Sequence, residues 1–266
     1  MNPPAPYCRE LGSGPGVVCL HSNASSSAQW RNLMELLAPK FHLFAPDSYG
    51  SGKSPEWHSD RVISLRDEVA LVEPILRKAG APLTLIGHSY GAAIALIAAL
   101  ENPARIGAIA LYEPTLFSLL YADASAANEA EGIRNAADAA GLALDEGNQD
   151  AAAEHFIDYW MGPGSWRNTP EQRKPAIAAS IVNVRRWGHA LSTEPTPLDA
   201  FRALDIPILY MVGKCTTASA LGVARQLAKA LPRAEFIEFD DLGHMGPVTH
   251  PAIVNEAIAR FLDKVL

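Results

Sequence analysis

Pro82-Leu83-Thr84-Leu85-Ile86-Gly87-His88-Ser89-Tyr90-Gly91-Ala92-Ala93-Ile94-Ala95-Leu96 is an apolar run, a Gly-His-Ser-Tyr-Gly turn and the start of an alanine-rich run. The first part predicts a buried strand and the last a helix lying close on it. A strand that turns this sharply into a helix forces its apex residue into a strained backbone conformation. Gly87 and Gly91 are expected there because a side chain at either place would strike the neighbouring chain. The strain lifts the Ser89 hydroxyl clear of the sheet, and it aims the Tyr90 backbone N–H at whatever that hydroxyl attacks.

Working outward, the elements alternate. Tyr7 to Leu11 and Val17 to Leu20 predict two strands joined by a glycine-rich turn, and the second runs into His21-Ser-Asn-Ala-Ser-Ser-Ser27. Trp30, Leu33, Leu36 and Leu37 predict one buried helical face, and Phe41 to Pro46 a strand. Ser64 is expected to cap a helix with Asp67 and Glu68 in its first turn, where they complement the dipole. Leu65, Val69, Val72 and Leu76 make its buried stripe, and Gly80 ends it. Ile106 to Tyr112 reads as a strand buried on both faces and ends in Glu113-Pro114. From Thr115 to Asp199 strand patterning stops and alanine-rich helical segments follow. Ile206 to Gly213 and Glu235 to Phe239 are the last strands, with a helix from Ser219 to Leu231 between them. Asp240-Asp-Leu-Gly-His244 and a helix beginning at Pro251 close the chain.

This order around a Gly-x-Ser-x-Gly elbow resembles the alpha/beta-hydrolase fold family along essentially the whole chain. The resemblance implies a mostly parallel sheet flanked by helices, formed by residues 1–114 and 200–266, with a helical cap inserted at 115–199. Phe117, Leu120, Phe156, Tyr159, Trp160 and Trp187 are candidates to line a pocket under that cap, or to form its core. In the family a loop at the position of His21-Ser-Asn supplies half of the oxyanion hole. The implied donor is the backbone N–H of Asn23, with Ser22, which stands where glycine is usual, as the alternative. Asp47 falls in a loop like the family's Asp-x-x-Gly-x-Gly-x-Ser and is expected to tie that loop down.

A serine hydroxyl is a poor nucleophile at neutral pH and needs a base, which needs a carboxylate to fix its tautomer and balance its charge. Gly243-His244 sits where the family keeps its catalytic histidine. The usual acid follows the strand ending at Gly213, yet Thr216 holds that position, and no Asp or Glu occurs from Ile206 to Ala234. Glu113 stands one strand earlier, where some members, including a branch of the haloalkane dehalogenases, carry their acid. It is the expected third member, with Asp240 and Asp241 as alternatives. His88 is expected to face away from the nucleophile.

Composition narrows the partners. With 266 residues and 48% hydrophobic content, the chain can bury one large core. A net charge of −7 without a basic block argues against nucleic acid or an acidic membrane surface. Three cysteines without a short-range pattern suggest neither a disulfide framework nor a zinc site, so a reduced, cytoplasmic setting is expected. The stretch Met1 to Pro6 lacks the charge and apolar run of an export signal. The expectation is a serine hydrolase of a small ester, lactone or related acyl compound, without metal or organic cofactor. A carbon–carbon bond hydrolase on the same residues and a non-catalytic small-molecule receptor are the alternatives.

Overall fold

The computed structural model describes residues 5–265; residues 1–4, part of the stretch read for an export signal, and residue 266 lie outside the described residues. Seven strands form one sheet: β1 (Cys8–Gly12), β2 (Gly16–Leu20), β3 (His42–Pro46), β4 (Leu83–His88), β5 (Ile106–Tyr112), β6 (Ile208–Gly213) and β7 (Ala234–Phe239). They lie in the order β1-β3-β2-β4-β5-β6-β7. β1 runs antiparallel to β3 and every other pair is parallel. From β2 the chain steps to one side to make β3, then crosses to the other to make β4. A crevice opens where strand order reverses in this way, outside the carboxyl ends of the strands. Here it lies beyond β2 and β4, where Asn23 and Ser89 follow.

Side chains alternate across the sheet because the strand period is two. Val18, Leu20, Phe44, Leu85, Ile109, Leu111 and Tyr210 join one core. Val17, Cys19, Leu43, Ile86, Ala110, Tyr112 and Met211 join the other. The second core is covered by α1 (Arg31–Leu37) and the C-terminal α11 (Pro251–Val265), and the first by α2 (Leu65–Ala79), α3 (Tyr90–Glu101) and α9 (Ala218–Ala228). α3 is buried from Tyr90 through Ala99, which is why its sequence has no polar face: it lies between the sheet and α2. In α1 the buried residues are Leu33, Met34 and Leu37, whereas Leu36, expected inside, is 52% exposed. With Trp30 these buried residues keep the i, i+3, i+4, i+7 spacing of one buried stripe, and Leu36 lies off it.

α2 starts as expected, with a reciprocal capping box between Ser64 and Asp67. Glu68 shares that first turn with Asp67 but has a different environment. It does not face solvent at the helix start but is fully buried, accepting from the Tyr49 N–H at 3.2 Å and the Tyr90 hydroxyl at 3.2 Å.

Between β5 and β6 the chain makes α4 (Ser118–Tyr121), α5 (Glu131–Asp145), α6 (Gln149–Met161), α7 (Lys174–Ile181) and α8 (Val184–Ser192), and no strand among the described residues. α10 (Gly246–Thr249) follows the loop that carries His244. No helix among the described residues is long and apolar enough to cross a membrane.

Candidate active site

The turn between β4 and α3 is as tight as its glycines imply. A Cβ on Gly91 would sit 2.3 Å from the Leu20 carbonyl oxygen, and one on Gly87 2.5 Å from the Ala92 Cα. Ser89 between them has φ 57° and ψ −116°, a conformation costing on the order of 1–3 kcal/mol that the packed strand and helix impose. Its N–H is held by the Tyr112 carbonyl at 2.9 Å.

Three side chains from separate parts of the chain converge here. His244 Nε2 lies 2.9 Å from Ser89 Oγ, and His244 Nδ1 lies 2.6 Å from Glu113 Oε2. All three residues are buried. The carboxylate accepts from Nδ1, so the tautomer leaves Nε2 free to accept the serine proton. Glu113 leaves β5 with φ 46°, and this left-handed residue turns the carboxylate toward the neighbouring strand end. There the Gly213 N–H donates to Oε1 at 2.8 Å and the Thr216 hydroxyl donates to Oε2 at 2.7 Å. Thr216, noted in the sequence only for lacking a carboxylate, thus holds one. The alternative acids lie elsewhere: Asp240 pairs with Lys214 at 2.7 Å, and Asp241 is exposed.

Both ring nitrogens of His88 are hydrogen-bonded to groups other than the serine hydroxyl, and they do work the sequence did not indicate. Its Nε2–H donates to the His244 carbonyl at 2.8 Å, so Nδ1 accepts, here from the Gln29 amide at 3.1 Å. Burial, with help from nearby His244, holds its pKa well below the usual histidine value, which keeps this tautomer neutral. Gln29 Oε1 in turn accepts from the Ser22 N–H at 3.2 Å and the Ser22 hydroxyl at 3.0 Å. The Tyr112 hydroxyl donates to the Gly243 carbonyl at 2.8 Å. A continuous polar chain therefore ties the loop after β2 to the loop that carries His244. Nothing in the spacing of Gln29 singled it out.

The same chain separates the two candidate oxyanion donors. The Ser22 N–H is occupied by Gln29, while the N–H groups of Asn23 and Tyr90 have no partner among the described residues. His21 is structural: its Nδ1 donates to the Ser22 carbonyl at 2.7 Å and its Nε2 accepts from the Ser48 N–H at 3.0 Å. Asp47 binds the N–H groups of Ser27 at 2.6 Å and Lys53 at 2.9 Å, tying its loop as expected.

Ser89 opens into a cavity of about 350 Å³. Asn23 and Thr115 share its wall with Phe117, Phe156, Trp160 and Trp187, and the exposed charged side chains Arg134, Asp138 and Arg185 also contribute to it. Thr115 Oγ1 is buried without a protein partner among the described residues. Trp160 lies face to face with His244, the ring centroids 3.9 Å apart and the planes 25° from parallel. Two pocket candidates fall outside the wall. Leu120 is packed in the core, and Tyr159 hydrogen-bonds Ser219 Oγ at 2.7 Å, tying α6 to α9. No group of three or more His, Cys, Asp or Glu side chains suited to a metal occurs among the described residues.

A family model described as the alpha/beta hydrolase fold matches residues 15–251. The chain is 27% identical to the lipase LipV of Mycobacterium tuberculosis, covering 92% of this chain and 93% of the lipase. It is 24% identical to a haloalkane dehalogenase of Mesorhizobium japonicum over 98% of this chain and 88% of that enzyme. The solved structure of a thermophilic esterase from Thermogutta terrifontis superposes with a TM-score of 0.77 at 24% identity, over 97% of this chain and 93% of the esterase.

Proposed function

The chain belongs to the alpha/beta hydrolase fold family, and on that premise we propose that it is a serine hydrolase that cleaves a carboxylic ester, lactone or related small acyl compound through an acyl-enzyme on Ser89. The observation that carries this reading is the unbroken path from Ser89 Oγ through His244 to Glu113, set in the wall of a cavity.

In the proposed cycle Ser89 Oγ attacks the acyl carbon as His244 Nε2 takes its proton. Glu113 balances the imidazolium that forms, and the N–H groups of Tyr90 and Asn23 bind the oxyanion. His244 then returns the proton to the leaving oxygen, and a water activated by the same imidazole releases the acid. The helical segment 115–199 supplies the aromatic wall and acts as the cap over the reacting groups. Sequence similarity also runs to a dehalogenase, but Ser89 disfavours that chemistry. Displacement of halide by a serine oxygen would leave an ether, which the same groups cannot hydrolyse, whereas attack on an acyl carbon leaves an ester that water can split.

The test is a fluorophosphonate label together with p-nitrophenyl esters of graded acyl length. Wild type should be labelled once and hydrolyse the short esters, and Ser89→Ala should do neither. A folded wild-type protein that is neither labelled nor active on any ester would overturn the proposal.

A further inference from the structure

The cavity wall is aromatic around the serine but charged farther out, and its charges are not balanced. Arg185 and Asp138 project from α8 and α5, and Arg185 is already engaged by Asp145 at 2.7 Å, with Asp138 adding to the negative field around it. Arg134 is different. Glu131 and Asp138 stand three residues before and four after it on α5, the spacings at which helical side chains ordinarily pair. No carboxylate lies within ion-pairing distance of Arg134 among the described residues. Its guanidinium instead lies over the Tyr121 ring, 5.1 Å from the centroid, and both residues belong to the cavity wall. Stacking on an aromatic face leaves the in-plane N–H donors of a guanidinium free for a planar anion. Among the described residues of the cavity wall Arg134 is thus a cation without a carboxylate partner, on a protein whose net charge is −7.

We propose that the acyl part of the substrate ends in a carboxylate that pairs with Arg134, with an apolar body lying among Phe117, Phe156, Trp160 and Trp187 and its scissile carbonyl at Ser89. This rests on the serine-hydrolase reading of the same site and names the substrate class: half-esters or lactones derived from dicarboxylic acids. A carboxylate there gains a charge-assisted, two-pronged hydrogen bond in a partly shielded setting, which a methyl-terminated chain of the same length cannot make. Ser89 and Arg134 line one cavity of about 350 Å³, within the size range of small-molecule sites.

The experiment compares mono-p-nitrophenyl esters of adipic, pimelic and suberic acid with the same compounds methylated at the far carboxylate, and with p-nitrophenyl acetate. For at least one length, wild type should prefer the free acid over its methyl ester by roughly 3- to 10-fold in kcat/KM at low ionic strength, the range for a partly exposed charged pair. Arg134→Gln should abolish that preference, Arg134→Lys should keep part of it, and Arg134→Glu should reverse it, each read as the ratio of free-acid to methyl-ester rates within one variant. Absence of any preference in wild type, or a preference that survives Arg134→Gln, overturns the proposal. Calorimetric titration of Ser89→Ala with the free dicarboxylates reads the same pairing without turnover. Binding lost on adding Arg134→Gln supports it even if no ester is hydrolysed, and no Arg134-dependent binding counts against it. Silence of acetate hydrolysis and of the fluorophosphonate label together, by contrast, would bring down the serine-hydrolase reading itself.

Discussion

Glu113 and Glu68 are both fully buried, and the contrast between their surroundings separates a carboxylate built to carry charge from one built to avoid it. Glu113, at the end of β5, accepts from a backbone N–H and a threonine hydroxyl and meets the Nδ1 of His244. Glu68, in the first turn of α2, has one backbone N–H and one phenol. Desolvation with so little compensation pushes its pKa up to about 8, so that at neutral pH it is mostly the neutral acid. Equal burial thus leads to different chemistry, because the count and kind of donors decide which protonation state the site accepts.

The same substitution, glutamate to glutamine, should therefore have very unequal consequences for activity at the two positions. At Glu113 it is expected to lower kcat by roughly 10²- to 10⁴-fold with the fold intact, in line with the corresponding change in serine-protease triads. An amide cannot balance the imidazolium, and it turns an NH₂ group toward one of three donors. Steady-state kinetics on the best ester, with circular dichroism as a control on folding, measures this. Activity within about threefold of wild type would mean that the orienting acid lies elsewhere.

Thr216→Val sharpens the contrast by removing one donor from Glu113 while keeping its size. The carboxylate would then keep the Gly213 N–H and His244 but lose a hydrogen bond to a charged group. A loss of about tenfold in kcat is expected, with KM little changed, because the hydroxyl acts on the transition-state imidazolium through Glu113 and touches no substrate. Thr216→Ser should restore most of the rate. A valine variant as active as wild type would show that the backbone N–H alone holds the carboxylate.

How far these two sites could be read in the sequence follows from the same contrast. Ser89 is legible because the elbow is a local event: strand, glycine, serine, glycine and helix are contiguous, and their sterics follow from the spacing. His244 and Glu113 are legible only through the family resemblance, as the loop and strand-end positions it implies, with Thr216 standing where the family's usual acid would be. That Thr216 itself binds the carboxylate was not legible, since it depends on the left-handed turn at Glu113 and on the adjacency of β5 and β6. Gln29, which links the loop after β2 to His88, depends on contacts 59 residues apart. The burial of Glu68 was not legible for a related reason: its first-turn position follows from the sequence, but its cover comes from the Tyr49 loop and from Tyr90 of α3. The aromatic residues of the 115–199 segment could be named but not sorted, because helical spacing gives each a face without saying which face looks into the cavity.

Glu68→Gln tests the other half of the contrast and should have the smallest effect on activity. Protonated Glu68 can accept from the Tyr49 N–H on one oxygen while its own O–H donates to the Tyr90 oxygen, and glutamine reproduces that pattern with its carbonyl and NH₂. Ester hydrolysis at pH 7 should therefore stay within about twofold of wild type. The difference should appear in stability against pH. With the folded pKa raised to about 8 from the ordinary glutamate value of 4.5, the folded state binds more protons than the unfolded state between those values. Wild-type stability should accordingly fall as pH rises through that window and level off above about pH 8. Glutamine cannot ionise, so its variant should lack this component, with the two proteins closest in stability near pH 5 and the variant ahead by about pH 9. The gap at high pH should be on the order of a few kcal/mol, or several degrees in Tm for a chain of this size. Thermal melts of both proteins from pH 5 to 9 measure it. Parallel Tm profiles would mean that Glu68 does not ionise differently in the folded and unfolded chains, and the distinction between the two glutamates would then rest on Glu113 alone.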